Sequence, residues 1–438
     1  MQAASNVNVA GNRRAGGSSP AVKMKKSGDR FNYGWVVVGV TVISMALVYG
    51  VRHSFPIFYP SILSEFGWLR GDTAAILSIN ILVYGFSAPL AGHLADQWKP
   101  RRVMILGLLL LVLATAGCSL ASRLWHFFLL FGVGVPMGSA FCGWPLFSPA
   151  LTNWFTRRRG LVLGLGQMGG GLSFVYGLLV EFFITWVGWR FTFLALAVLL
   201  VFLVLPLVSF FFSYRPEDKI VAGGTNPDAT HGVSIAGDYW TLFKAMKNGR
   251  LWLFVVSEAL FWGLGGYLVL AHQVKFATDA GYSSLLSASI FALFGVFMLT
   301  GQFASLISDW IGREITATMA TVLVLGAIIS LLGAGAAGEV WLLYLYSVLF
   351  GLGMGLFSPT PFAGAADVFH GRYFGGISGL LLAGLGVGGV IGPWLGGVLY
   401  DRTGTYTVSF VISGASFLAA CAAYWIAAPR KGAARLSA

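Results

Sequence analysis

The chain has 438 residues, 57% of them hydrophobic and only 10% charged, with a mean hydropathy of +0.79. A soluble domain carries about a quarter charged residues, and one aqueous core cannot bury so much apolar side chain. An ordinary soluble enzyme is therefore excluded, and so is a disulfide framework, because Cys118, Cys142 and Cys421 all lie within apolar runs.

Residues 1–34 are polar, basic and rich in Ser, Gly and Asn. No apolar h-region precedes a cleavage site, so this stretch reads as a disordered cytoplasmic tail. A membrane-crossing helix needs about 20 mostly apolar residues. Twelve such runs follow: 35–60, 73–94, 103–121, 125–153, 161–187 and 190–213, then 251–275, 284–307, 315–336, 340–363, 374–399 and 406–428. They are long and continuous, unlike the short alternating segments of a barrel. Backbone groups in hydrocarbon must pair within their own segment, so the runs are helices. Between the sixth and seventh runs, 214–250 carries Pro216, Gly223, Gly224, Asn226 and Pro227 and reads as a linker. Within it, Tyr239–Lys247 fits a short amphipathic helix on the membrane surface. The expected fold is an all-α membrane protein of twelve transmembrane helices in two pseudo-symmetric six-helix bundles. The bundles are 35–213 and 251–428, and 429–438 forms a second tail.

With the first tail placed in the cytoplasm, 22 of the 28 Lys and Arg residues fall on cytoplasmic segments and 5 on the opposite side. This bias predicts cytoplasmic termini, in the cell (inner) membrane. It also accounts for the net charge of +12 through lipid head groups, with no nucleic acid as partner.

The remaining cation, Arg52, lies within the first span. Ionisable groups inside a span are costly and are functional candidates. The others are His53, Glu181, Glu258 and, near an outer end, His272. Arg52 can clamp a carboxylate with two parallel hydrogen bonds, or it can pair structurally with Glu181 at a similar depth. Glu258 and Glu181 are candidates for carrying a proton. Alternatively, Glu258 is hydrogen-bonded to a backbone group, Asn80 or Gln302. His53 and His272 can titrate near neutrality or serve as packing residues. Asn80 and Tyr84 are four apart and share a face of the second span. Tyr49 stands three before Arg52 and can face the same cavity, as can Trp144 and Trp262. Candidate substrate contacts are thus Arg52, Tyr49, Asn80, Tyr84, Trp262 and His272.

Gly164-Leu-Gly166-Gln-Met-Gly169 follows no strand and is a close-packing stripe rather than a nucleotide loop. The six histidines show no ligand spacing and no H-E-x-x-H, so neither a metal nor a cofactor is expected. No Walker loop is present. The chain reads as something other than an enzyme.

The halves repeat a loop. Gly92-His-Leu-Ala-Asp96-Gln-Trp-Lys-Pro-Arg101-Arg102 follows the second span, and Ser305-Leu-Ile-Ser-Asp309-Trp-Ile-Gly312-Arg313 follows the eighth. Two related halves around a central site are the build of an alternating-access transporter. The loop resembles the G-x-x-x-D-x-x-G-x-[RK]-[RK] motif of the major facilitator superfamily, with Lys99 at the second Gly and Ser305 at the first Gly of the second copy. In that superfamily the motif latches the cytoplasmic side. Here that implies a gate built from Gly92, Asp96, Arg101, Arg102, Asp309, Gly312 and Arg313; the same carboxylates also fit plain topology determinants. Further segments are similar to the bacterial monocarboxylate-porter-like group, which includes oxalate:formate antiporters. They are Tyr33-Gly-Trp, Glu65-Phe-Gly-Trp68, Gly188-Trp-Arg190, Arg215-Pro-Glu-Asp218, Ala271-His-Gln-Val-Lys-Phe-Ala and Tyr400-Asp-Arg-Thr-Gly404. The resemblance implies a monomeric secondary transporter of a small organic anion, a monocarboxylate first, moving with a proton by alternating access. The alternatives are an exporter of a larger apolar compound, such as a drug or siderophore, and a non-transporting sensor of the same fold.

Overall fold

The computed structural model describes residues 28–155, 159–214, 240–369 and 374–428, and every regular element among them is helical. Of the predicted segments, 1–27, 215–239 and 429–438 lie outside the described residues, as do Arg157 and Arg158.

Eleven helical stretches are long and apolar enough to cross a membrane. They are α1 (Tyr33–Phe66), α2 (Arg70–Ala95), α3 (Pro100–Cys118), α4 (Leu124–Leu151), a stretch Val162–Phe211, α7 (Gly249–Asp279), α8 (Ser284–Ile307), α9 (Arg313–Gly335), α10 (Val340–Val368), α11 (Gly376–Thr403) and α12 (Thr407–Ala427). Val162–Phe211 holds 50 residues, about 75 Å of helix and more than twice a hydrocarbon core. Gly188 resolves the excess. Its φ of 81° and ψ of 160° break the helix, a conformation that glycine adopts without Cβ strain. The stretch is thus α5 (162–187) and α6 (189–211), and the described residues cross twelve times, as the hydropathy pattern predicts. One boundary moves: the first helix begins at Gly28, so 28–34 of the predicted tail are helical. Of the predicted surface helix, Leu242–Met246 forms, capped by Thr241, whose hydroxyl accepts from the Lys244 amide.

Three spans carry π-helical stretches, and in α6 these are Leu200–Val204 and Leu207–Phe211. α4 carries a π-helical stretch, Phe128–Gly134, and then breaks at Cys142 and Gly143 before restarting at Trp144. In α7 a π-helical stretch, Ala259–Gly266, begins directly after Glu258. Such stretches free backbone groups from the usual ladder and concentrate at functional sites.

Twelve crossings put both described ends on one face, here the terminal face; the other is the distal face. The halves α1–α6 and α7–α12 meet chiefly along α2 and α11, along α5 and α8, and where the distal end of α1 meets that of α7. Small residues set the approach. A Cβ on Gly397 would sit 2.6 Å from the Gly71 Cα, and one on Gly295 would sit 2.6 Å from the Phe174 Cβ. The Trp394 amide donates to the Ser78 hydroxyl at 3.2 Å, and Ser284 bonds the Glu181 carboxylate. These contacts run from the distal ends to the middle of the helices, and Gly171 of α5 meets Leu299 of α8 one turn further on. Toward the terminal face, Gly85, Gly92, Gly164 and Gly379 have no atom within 4 Å of a Cβ position, and Leu90 and Leu382 are each 46% exposed. The halves close at the distal face and part toward the terminal one.

Candidate functional site

The interior polar groups of the first half converge on Arg52, which is buried. Its Nε donates to the Asn80 Oδ1 at 2.7 Å. The Asn80 Nδ2 in turn donates to the carbonyl of Phe131 at 2.8 Å, inside the π-helical stretch of α4. Asn80 is therefore fixed at both ends and holds the guanidinium in one orientation. The guanidinium also lies over the Tyr84 ring, 4.3 Å from its centroid, an attraction between a cation and the negative ring face. Neither terminal nitrogen of Arg52 bonds a described residue, yet neither is sealed off. Two donors in a fixed fork thus remain unspent.

Tyr49 completes the network. Its hydroxyl is 2.6 Å from that of Tyr84 and accepts from the Trp144 amide at 3.0 Å. That amide is one of the orphan donors at the restart of α4, so the break and the tyrosine satisfy each other. The sequence carries a signal for this junction that hydropathy misses. Cys142-Gly-Trp-Pro145 places a glycine before a proline in the first turn, the usual mark of a helix start.

The predicted Arg52–Glu181 pair does not form: no carboxylate among the described residues lies within 4 Å of Arg52. Residues 52 and 53 are about 100° apart around the helix. Arg52 faces α2, and His53 takes the side facing α5. There the His53 Nδ1 is 2.7 Å from the Ser173 hydroxyl, and the ring stacks on Phe174 at 4.4 Å. Glu181 is engaged with Ser284 of the other half instead.

On α7, Glu258 is 1% exposed; its Oε2 is sealed without a partner. The predicted bonds to backbone, Asn80 or Gln302 are not made. Trp262 is nearly buried, with its ring 6.3 Å from that of Tyr267. Tyr267 is close enough to Tyr84 to interact electrostatically, which sets this part of α7 across from the α2 side of the network. His272 stands apart from it. It is fully buried and its Nε2 donates to the Pro393 carbonyl at 2.8 Å. Its ring meets Tyr59 and Tyr406.

A second cluster joins the halves at the distal face. Arg70 pairs with Asp279, which also takes Lys275 at 2.7 Å. The amides of Arg70 and Gly71 both donate to the Asp401 carboxylate, at 3.0 and 2.7 Å. Arg70 further donates to Tyr406 at 2.9 Å and stacks on Tyr400 at 3.6 Å. Tyr406 lies in the turn before α12; burial pushes its hydroxyl above its ordinary pKa, so it stays neutral as an acceptor. Arg70→Ala should weaken this latch. A Ser78→Cys reporter, placed where Ser78 is now 3% exposed, is then expected to react about tenfold faster with a membrane-impermeant maleimide. An unchanged rate would mean that the glycine contacts alone hold the face closed.

Of the repeated loop, Gly312 adopts φ 109°, and Arg313 reaches Asp367 at 3.2 Å and Ser308 at 2.5 Å. Gly92 sits in open surroundings. Arg101 and Arg102 are exposed and have no partner among the described residues. The side chains of Asp96 and Asp309 lie outside the described set. Near the distal face, the predicted motif residues do meet: Arg190 and the Trp189 indole both bind Glu65, at 2.8 and 2.6 Å.

Two six-helix halves parted at one face around buried polar groups are the build of a membrane carrier. The description Major Facilitator Superfamily matches residues 41–338 and 317–438, and the chain belongs to that superfamily. It is a multi-pass membrane transporter and not an enzyme. Among curated proteins it is 30% identical to monocarboxylate transporter 13 of Bos taurus over 402 residues, covering 88% of this chain and 87% of that one. Its identity to the Rattus norvegicus protein of the same name is 29% over 398 residues, with the same coverage. The resemblance to the monocarboxylate-porter branch thus holds. Among solved structures, a bacterial homologue of the human lysosomal transporter Spinster, inward-facing and unoccupied, superposes with a TM-score of 0.67 at 16% identity. That match covers 91% of this chain and 99% of the other.

Proposed function

We propose that the protein carries a small organic anion, a monocarboxylate first, together with a proton by alternating access. The observation that carries this reading is the Arg52 fork. One nitrogen is spent on Asn80, and two parallel donors are left open in a buried site, the geometry a carboxylate accepts. The names of the relatives support the same class. Glu258 is the proton carrier in this reading. An ionised carboxylate with a sealed, unpartnered oxygen is costly, and a bound proton removes that cost. Glu181 holds α5 against α8 through Ser284. His272 packs against α11 and takes no part in binding.

The 22-to-5 distribution of Lys and Arg supports a cytoplasmic terminal face in the inner membrane. The described state is then open to the cytoplasm. Lipid covers the apolar belt that includes Phe86, Phe202 and Ile329, each over 70% exposed. The gate residues Gly92, Asp96, Arg101, Arg102, Asp309, Gly312 and Arg313 close the cytoplasmic face in the opposite state, and one chain suffices for the cycle.

Uptake into proteoliposomes tests the reading, using lactate, pyruvate, acetate, oxalate and an aromatic acid under an inward proton gradient. Gradient-dependent accumulation of one acid is the expected result. Absence of flux from folded protein would return the choice to an exporter or a sensor.

A further inference from the structure

His53 is next to Arg52, largely buried and inside the same span, yet the anion and proton roles above leave it unused. Its hydrogen bonding fixes what it can offer. Ser173 has one hydroxyl proton, and it is donated to the Gly170 carbonyl at 2.5 Å. The same oxygen faces the His53 Nδ1 at 2.7 Å, so with that proton spent Nδ1 is assigned as the donor in the contact. In a neutral imidazole with Nδ1–H, Nε2 carries a lone pair and no proton. Nε2 bonds no described residue and is not sealed off. The ring cannot swing away cheaply, because it lies flat on Phe174 with an interplanar angle of 8° and touches Tyr49 at 5.9 Å. Phe174 is itself held by Phe291 and Phe294 of the other half.

We infer that His53 is a specificity residue. It presents a fixed hydrogen-bond acceptor beside the Arg52 fork and selects anions bearing a donor, a hydroxyl or N–H, close to the carboxylate. This deepens the reading of Arg52 as the anion site and rests on it. A 2-hydroxy acid satisfies both groups. A 2-oxo acid sets a carbonyl lone pair against the Nε2 lone pair, and an unsubstituted acid leaves Nε2 unpaired. Unpaired buried polar groups are what lets a site reject an analogue.

The test is uptake of labelled 2-hydroxybutyrate into proteoliposomes, with competition by 2-oxobutyrate and by butyrate. The wild-type protein should prefer the hydroxy acid by about tenfold. His53→Phe keeps the stacked ring and removes the acceptor. It should raise KM for the hydroxy acid about tenfold while changing the other two by less than about twofold. Ser173→Ala unlocks the tautomer without touching the substrate, and should erode the preference about threefold. Equal losses for all three acids in His53→Phe would overturn the inference, as would no preference in the wild type. Stronger competition by malonate than by 2-hydroxybutyrate would overturn it too, since a second carboxylate requires Nε2 as a donor. If the wild type moves none of these acids, the anion reading fails first, and that outcome is distinct from the others.

Discussion

Replacing Arg52 by Ala is expected to lower kcat/KM for anion uptake by about a hundredfold, the scale of losing one partner of a buried charge-assisted pair. The protein should still fold and elute as a single species, because Arg52 neutralises no carboxylate among the described residues. Arg52→Lys should recover part of the activity. Lysine supplies the charge but no planar fork, and it cannot hold Asn80 and a carboxylate with the same fixed geometry. Asn80→Ala makes the complementary point: the charge stays but its orientation is lost, so KM should rise more than kcat falls. Wild-type uptake in Arg52→Ala would remove the anion site from α1 altogether.

Glu258→Gln separates coupling from movement. Gln keeps the shape and the burial but cannot exchange a proton. One unit of pH difference supports about a tenfold gradient of a one-to-one coupled solute. The variant is expected to reduce that accumulation to equality, while counterflow exchange of labelled for unlabelled anion continues at a rate near that of the wild type. If the tenfold accumulation survives, another group carries the proton, and Glu181 is the first to replace in turn. Loss of counterflow as well would place Glu258 in the moving parts rather than in the coupling.

The spans were legible because apolar length is a one-dimensional property. Even the doubled stretch Val162–Phe211 could be divided from sequence, since Gly188-Trp-Arg190 interrupts it. Depth within a span was also legible: Arg52 and Glu181 were matched in depth but not in direction. Azimuth decides partners, and it depends on how each helix is rotated in the packed bundle. One residue of rotation gives the α5 side of α1 to His53 and turns Arg52 toward Asn80. Nor did composition show that α4 breaks at Gly143. Only the local order Gly143-Trp-Pro145 marks it, and the break is stabilised by Tyr49, 95 residues away in the chain. The distal latch draws on Arg70, Lys275, Asp279, Asp401 and Tyr406. Counted separately, its two cations, Arg70 and Lys275, are simply among the few on that side.

The glycine contact between α2 and α11 bears on how fast such a protein can cycle. At Gly71 and Gly397 backbone meets backbone, so parting the helices there pulls no large side chain out of a socket and leaves no deep void to refill. The depth of the closed state then falls mainly to the Arg70 cluster, at the rim where water can replace what is broken. A difference of about 1–2 kcal/mol between two states is a factor of about 5–30 in their populations. Closure of that size is firm enough to keep one face shut in most molecules. It is also shallow enough for the reopened state to keep a population of a few per cent or more by thermal motion alone.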